Sequence, residues 1–350
     1  MFARAPTTTS LLGIQIQDCG ITLLALDGTQ AQPRLTHFAH VPLSETGLDD
    51  IHHQPGSPAL RDALRTALKQ SRARMRNCAL SIPDRDVSQK ELDPPAAEGS
   101  LLTGDALEAE LEIIAEGLPG LQDAQEVVWD VASLPAADAA TSRLQLRAMP
   151  GEYYHNLHTL CAEAGLQLER LEPASLALQR ALPVQAEDRP YLGVLDFGRE
   201  HAQLYSFANK IQTQVDRLRL SQRPQLPPDW HLPLCDPSLR AEDHSALHAA
   251  AETLQSEAER LLQSAQTQNT RLRLQRLWLI GSATQAPPLL RALQQLPIAV
   301  QPYNPLIEIE RAANISESVV QRYGSSAVFA FGLALQSLPT GDEDQRAKHA

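Results

Sequence analysis

LLGIQIQDCGITLLAL, residues 11–26, is the stretch of sequence that decides the fold. In its first half apolar residues alternate with others, so that Leu12, Ile14 and Ile16 share one face, and a period of two is typical of a β-strand. The Asp-Cys-Gly segment at 18–20 is typical of a turn, and the apolar run after it predicts a returning strand. The sequence therefore predicts a β-hairpin near the start of the chain.

A second stretch of the same kind begins at residue 191 and has the sequence YLGVLDFGREHAQLYSFA. When the two stretches are overlaid by their turns, the segment 14–16 (Ile-Gln-Ile) falls on the segment 195–197 (Leu-Asp-Phe). Similar hairpins in two halves indicate an internal duplication. Helical patterns and single buried strands follow each hairpin, which favours an α/β protein with two lobes.

Composition narrows the class of protein. The chain has 350 residues, with 30 basic against 42 acidic side chains and a net charge of -12. Nucleic acid is therefore not expected as a ligand, because phosphate binding needs a basic surface. We expect no secretory signal or membrane anchor, since no apolar stretch approaches the roughly 20 residues of a membrane helix. The four cysteines are far apart and are expected to be reduced, as in a cytoplasmic protein.

Several longer segments carry a resemblance to a known family. Added to the first hairpin, they are CALSIPDRDVSQKEL (78–92), LRAMPGEYYHNLHTLCAEAGLQLERLEPASLALQRAL (146–182), VLDFG (194–198), LWLIGSATQAPPLLRAL (277–293) and FAFGLALQSL (329–338). In their order and spacing the chain resembles the actin-like superfamily of sugar kinases, Hsp70 and actin, and within it the PilM family of type IV pilus assembly proteins. The resemblance implies an α/β, actin-like (FtsA/PilM-type) two-lobed fold with duplicated cores and an insertion in each lobe.

This resemblance implies a division of the chain into segments. The first core is expected at 11–75 with 151–190, and the second at 191–225 with 271–338. The first-lobe insertion is expected at 76–150 and a reduced second-lobe insertion at 226–270. Polar tails are expected at 1–10 and 339–350.

The nucleotide site that the superfamily uses is expected to be degenerate here. The resemblance places Gln15 where related proteins carry an aspartate for Mg²⁺, and a neutral amide cannot supply that charge. Asp18 in the first turn would repel phosphate, and only Gly20 there allows close backbone approach. The other positions that the resemblance assigns to this site are Asp196, Gly198, Gly281 and Ser282. No cofactor is therefore expected, with ATP and Mg²⁺ as the alternative.

By resemblance, the protein is a cytoplasmic scaffold that holds the tail of a PilN-like inner-membrane protein and contacts other platform or motor proteins. Membrane association is expected only through those partners, and no catalytic residue is assigned. The candidate walls of the tail-binding groove are Leu80, Ile82, Leu111 and Ile114. The alternatives are an active ATP-binding enzyme of the superfamily, or a scaffold of the type II secretion or FtsA kind. Whether the chain is an enzyme stays open, with the degraded motifs weighing against it.

Two further clusters are weaker candidates. His231, Cys235, His244 and His248 could meet at zinc, but their spacing matches no standard metal motif, so no metal site is expected. Three arginines at 72, 74 and 76 follow a helical pattern, and we interpret them as a solvated helix end rather than a phosphate site.

Overall fold

The computed structural model describes residues 11–17, 19–43, 57–97, 100–134, 143–182, 191–198, 201–208, 211–220, 223–227, 230–231, 245–268 and 274–340. Within these ranges the chain forms two large sheets, two small ones and eight α-helices. The helices are α1 (Pro58–Ser71), α2 (Gly104–Glu116), α3 (Gly151–Glu163), α4 (Ala174–Ala181), α5 (Ser245–Gln268), α6 (Pro287–Leu293), α7 (Glu317–Tyr323) and α8 (Val328–Leu335).

The first large sheet contains the predicted N-terminal hairpin. Its strands are β1 (Leu12–Gln17), β2 (Gly20–Gly28), β3 (Pro33–Pro42), β4 (Asn77–Ile82), β10 (Gln167–Pro173) and β16 (Glu310–Arg311), in the order β10-β4-β1-β2-β3-β16. Strand β1 runs antiparallel to β2 with Ile14 opposite Leu23, and parallel to β4. The hairpin predicted from the alternation of apolar residues is therefore confirmed.

The second large sheet repeats this arrangement. Its strands are β11 (Tyr191–Phe197), β12 (His201–Ala208), β13 (Ile211–Arg219), β14 (Arg276–Ile280) and β15 (Ala299–Pro302), in the order β13-β12-β11-β14-β15. An antiparallel hairpin with a third antiparallel strand is followed on its other side by two parallel strands, as in the first sheet. This matching strand order supports the duplication inferred from the sequence.

The first-lobe insertion has its own sheet of three strands and a helix. Strands β5 (Ser88–Leu92), β8 (Val127–Leu134) and β9 (Arg143–Pro150) pair in the order β5-β9-β8, and α2 packs on β8 and β9. The two-residue strands β6 (Ala96–Ala97) and β7 (Ser100–Leu101) pair with each other. The insertion was expected from residue 76, but β4 lies between β1 and β10 in the first sheet. The near-continuous burial of β4 is what a central parallel strand requires, so the separate sheet begins only at Ser88.

Two helices also lie elsewhere than the expected boundaries imply. Helix α5 falls largely in the range expected for a second-lobe insertion, yet Leu247, Leu254 and Leu261 pack into the core of the second sheet. Helix α8 falls in the range expected for the second core, yet it packs against β1, β2 and β4 of the first sheet. Each helix is placed by the sheet face that it covers rather than by its position along the chain.

Candidate functional site

The two predicted hairpins meet at a cleft between the lobes. Side chains from both lobes line a cavity of about 70 Å³, with Gln15, Gln17, Cys19, Ile82 and Arg85 on one side and Asp196, Gly198, His201, Tyr205 and Ser282 on the other. Small-molecule sites usually enclose roughly 300–1,000 Å³. In this conformation the cleft is therefore smaller than such sites usually are.

The Gln15 side chain forms hydrogen bonds within the first lobe. Its side chain is 2% exposed, and its Oε1 accepts hydrogen bonds from the backbone N–H groups of Phe329 and Ala330, each at 3.2 Å. These two residues lie in the first turn of α8, where N–H groups have no partner within the helix. Gln15 therefore caps the helix that covers the first sheet.

Asp196 is the residue before the last in β11 and is 7% exposed. Gln17 of the first lobe donates a hydrogen bond from Nε2 to Asp196 Oδ2 at 3.0 Å. Behind the carboxylate, Gly281 has a φ of +76°, and a Cβ at that position would lie 2.5 Å from Asp196 Oδ1. The site therefore needs glycine at 281 both for its backbone conformation and for the space that Asp196 occupies.

The glycines of the second lobe donate their N–H groups within the protein. Gly198 donates to the carbonyl of His201 at 2.9 Å, which closes the second hairpin. Gly281 donates to the carbonyl of Ser325 at 2.8 Å, and Ser282 begins the 3₁₀ turn that follows. In the first hairpin Gly20 faces β3, where a Cβ would lie 2.8 Å from the carbonyl of Val41. Asp18 lies outside the described residues.

A partly buried carboxylate beside the cleft has no counterpart in the sequence analysis. Asp84 accepts hydrogen bonds from the backbone N–H of Ser175, at 3.1 Å, and from the Ser175 hydroxyl. Burial raises the pKa of Asp84 to about 6, against the lowering effect of the bonds from Ser175. The bond joins the turn after β4 to the start of α4, 91 residues further along the chain. Two Pro-containing segments, Ile82-Pro83-Asp84 and Glu172-Pro173-Ala174, were the available signals for this junction.

A larger groove lies where the insertion meets the first core. It has a volume of about 370 Å³ and is lined by Ser88, Pro119, Gly120 and Leu121 from the insertion and by Arg85, Asp86, Pro150, Glu152, Tyr153 and Asn156. The Tyr153 hydroxyl donates to Asp86 Oδ2 at 3.3 Å, and burial raises the pKa of this tyrosine. Sequence reasoning placed a groove at this junction but missed the face of α3 that forms one wall.

The four residues expected at the partner site are placed as follows. Leu80 and Ile82 are 1% and 2% exposed in the first-lobe core, and Ile82 also lines the cleft. Leu111 is 2% exposed, and Ile114 packs against the core of the insertion. The neighbouring Ile113 is 65% exposed on α2. Contact of a partner with the four expected residues stays a prediction.

The zinc candidates do not come together within the described residues. His231 is buried, His248 is exposed on α5, and Cys235 and His244 lie outside the described residues. Among the described residues no group of three His, Cys, Asp or Glu side chains could hold a metal ion. The described cysteines Cys19, Cys78 and Cys161 are buried and form no disulfide bond. The described helices include none that is long and apolar enough to span a membrane.

Comparison with known proteins identifies the fold. No protein-family model and no curated protein matches the chain. A chain of a PilM–PilN type IV pilus biogenesis complex superposes with a TM-score of 0.73 and 20% identity, over 95% of this chain and 100% of that one. A protein of Bacteroides thetaiotaomicron with an actin-like ATPase fold gives 0.41 at 12% identity, covering 87% and 95%. The cytoplasmic domain of EpsL of the Vibrio cholerae type II secretion system gives 0.42 at 11%, covering 93% of both chains. The chain thus has the PilM-like, actin-like, two-lobed fold that its sequence predicts.

Proposed function

We propose that this protein is a cytoplasmic scaffold of type IV pilus assembly that binds the tail of a PilN-like inner-membrane protein. The observation that carries the proposal is the superposition on a chain of the PilM–PilN complex over the whole length of that chain, insertion included. Through the tail the scaffold would join the inner-membrane platform to other platform or motor proteins. It would contact those proteins directly. Nucleic acid is not expected to take part, because the protein has a net charge of -12.

The groove between insertion and first core is the proposed tail site. An extended tail needs a groove or a sheet edge, and the volume of about 370 Å³ falls in the range of ligand sites. Its walls combine apolar surface from Pro119, Leu121 and Pro150 with the polar groups of Glu152 and Tyr153. Apolar walls supply affinity, and a few placed polar groups fix the register of a bound peptide.

We also propose that the cleft between the lobes no longer serves a nucleotide. Three observations support this: Gln15 is committed to α8, Gln17 engages Asp196, and the Gly198 and Gly281 N–H groups donate within the protein. Phosphate sites depend on backbone N–H groups that are available to the anion. Titration calorimetry with Mg-ATP tests the proposal, and binding in the micromolar range would favour the alternative of an active ATP-binding enzyme.

The tail site is tested by titrating a fluorescent tail peptide of the PilN-like partner. Asn156→Trp should fill the groove from α3 and abolish binding, because Asn156 lines it together with Glu152 and Tyr153. His158→Trp is the matched control, since His158 lies exposed on the same helix but does not line the groove. Equal affinity of both folded variants would show that the peptide binds elsewhere, and no binding by the unmodified protein would refute the proposed function.

A further inference from the structure

Basic side chains are concentrated at the C-terminal end of α1, although the protein as a whole is acidic. Lys69 lies in the last turn of the helix, Arg72 is its C-cap, and Arg74 and Arg76 follow in the segment that leads into β4. All four side chains are exposed, and none of them forms an ion pair with another described residue. We call this set the α1 basic patch. The proposed function assigns no role to the α1 basic patch, so an inference about it goes beyond that function.

The backbone holds the patch in place. Buried Ala73 and partly buried Met75 pack into the first-lobe core, so the intervening Arg74 and the flanking Arg72 and Arg76 project to the solvent side. Ala73 N–H donates to the Ser71 hydroxyl at 3.3 Å, and Gln167 N–H donates to the Arg76 carbonyl at 2.8 Å. These contacts hold the backbone that carries the three arginines against the first-lobe core.

Arg72 occupies a conformation that usually belongs to glycine. Its φ of +56° and ψ of 20° are left-handed, and no other described non-glycine residue has a positive φ. Glycine is the usual residue at such a helix end because it has no Cβ to strain the backbone. The chain thus keeps a cation at a position where a neutral residue would be conformationally easier, and such outliers point to function.

Nearby carboxylates are already engaged at the other end of α1. Asp62 and Glu163 pair with Arg61 at 3.7 Å and 3.2 Å, and Asp62 also lies 3.6 Å from Arg65. Of the cavities described above, none is lined by Lys69, Arg72, Arg74 or Arg76. A row of cations without a groove or exposed apolar anchor is suited to a broad anionic surface rather than to a peptide that needs a pocket.

From this we infer that the α1 basic patch binds the surface of an anionic phospholipid bilayer. Nucleic acid is a poorer fit because the remaining charge of the protein repels a long polyanion. A bilayer contacts one side of the protein only, and charges further than the Debye length of about 8 Å are largely screened. Each Lys or Arg at such a surface strengthens binding about fivefold, so the patch would add a direct membrane contact to one made through a partner.

Vesicle flotation without any partner protein tests this inference independently of the proposed function. The unmodified protein should float with vesicles of phosphatidylcholine and phosphatidylglycerol in equal parts, should not float with phosphatidylcholine alone, and should lose binding as salt is added. Arg74→Gln should weaken binding about fivefold. Arg72→Gly should weaken it as much while leaving the fold at least as stable, since glycine suits this backbone conformation.

Arg291→Gln is the matched control, because Arg291 is exposed on α6 of the second lobe. This substitution removes one positive charge, as Arg74→Gln does. Its binding should equal that of the unmodified protein. Flotation that does not depend on phosphatidylglycerol, or binding by Arg72→Gly and Arg74→Gln as strong as that of the unmodified protein, would overturn the inference. Binding of the patch to a poly-glutamate peptide, with no binding to vesicles, would also overturn it and would indicate an acidic protein partner.

Discussion

Gln17 and Asp196 connect the two lobes through a hydrogen bond of 3.0 Å between Nε2 and Oδ2. The two residues come from corresponding hairpins, at the end of β1 and the end of β11. Here the two side chains contact each other directly, so the protein itself supplies a link between the lobes.

Gln17→Ala should let the lobes separate more often. A hydrogen bond to a charged group contributes about 1.5–3 kcal/mol when it is well formed, and less when it is partly exposed. We expect faster amide hydrogen exchange in both hairpins and a decrease of about 1 kcal/mol in the free energy of unfolding. Gln285→Ala, which removes a surface bond to the Gln321 carbonyl, is the control. Unchanged exchange in the hairpins would show that the bond does not hold the lobes together.

Gln15→Met should destabilise the first lobe. Methionine has a similar length but no oxygen for the Phe329 and Ala330 N–H groups, which then stay unpaired in a buried site. An unpaired buried donor costs about 1–3 kcal/mol, and chemical denaturation would measure the loss. Gln15→Glu retains an acceptor near a helix N-terminus and serves as the comparison. Equal stability of Gln15→Met and the unmodified protein would contradict the capping role.

Asp84 should make the folded state less stable as pH rises from about 4 to 6. Its pKa is raised from 3.8 to about 6 in the folded protein, so the folded state binds more protons than the unfolded state in this window. The shift of about two pKa units corresponds to about 3 kcal/mol of folding stability at low pH, and this contribution is lost above pH 6. Asp84→Asn removes this dependence. The free energy of unfolding of this variant, relative to that of the unmodified protein, should therefore increase as pH rises. A constant difference between the two proteins would contradict the prediction.

His40 should make the folded state more stable as pH rises, which is opposite to the effect of Asp84 over nearly the same pH range. Burial lowers its pKa from 6.5 to about 4, so the unfolded state binds more protons and stability rises with pH from about 4 to 6.5. The ring contacts the Thr22 hydroxyl at 2.9 Å and stacks on Tyr323 at 4.5 Å. The two effects offset each other in the unmodified protein. His40→Gln should therefore reveal a stability that falls between pH 4 and 6, and a rise instead would show that Asp84 is not the opposing group.

Gly332→Ala should be strongly destabilising. A Cβ at 332 would lie 1.8 Å from the Ala177 carbonyl oxygen, so α8 would have to move away from α4. Overpacking of this kind costs about 1–3 kcal/mol or more. Gly117→Ala is the matched control, because the nearest atom to a Cβ there is 3.5 Å away. Thermal unfolding would compare the two, and a similar midpoint for both would contradict the close packing of α8 on α4.

The hairpins were predictable because their side chains alternate with a period of two. The alternation assigns Leu12 and Ile14 to one face, and both lie in the core cluster that includes α1 and α3. Gln15 then belongs to the opposite face, which α8 covers. The strand period therefore indicates that Gln15 faces away from Ile14, and the structure places it both against α8 and in the lining of the cleft.

The positions of α5 and α8 were not predictable in the same way. Every residue of α8 is buried, so its sequence has no polar face to indicate which sheet it covers. The bond between Asp84 and Ser175 depends on how two distant segments pack, and no local pattern specifies such a pair. The division implied by the resemblance put Leu80 in the insertion at 76–150, whereas the structure places it in β4, between β1 and β10 of the first sheet.

The return of α8 to the first sheet has a consequence for how the polypeptide is made. The strands β1, β2, β3, β4 and β10 have all been synthesised by residue 173, but one face of their sheet is covered by a helix at 328–335. The ribosome completes the strands of the second lobe, at 191–302, before it reaches that helix. A nascent chain halted before residue 328 would therefore present the uncovered apolar face of β1 and β2, the kind of surface that chaperones bind.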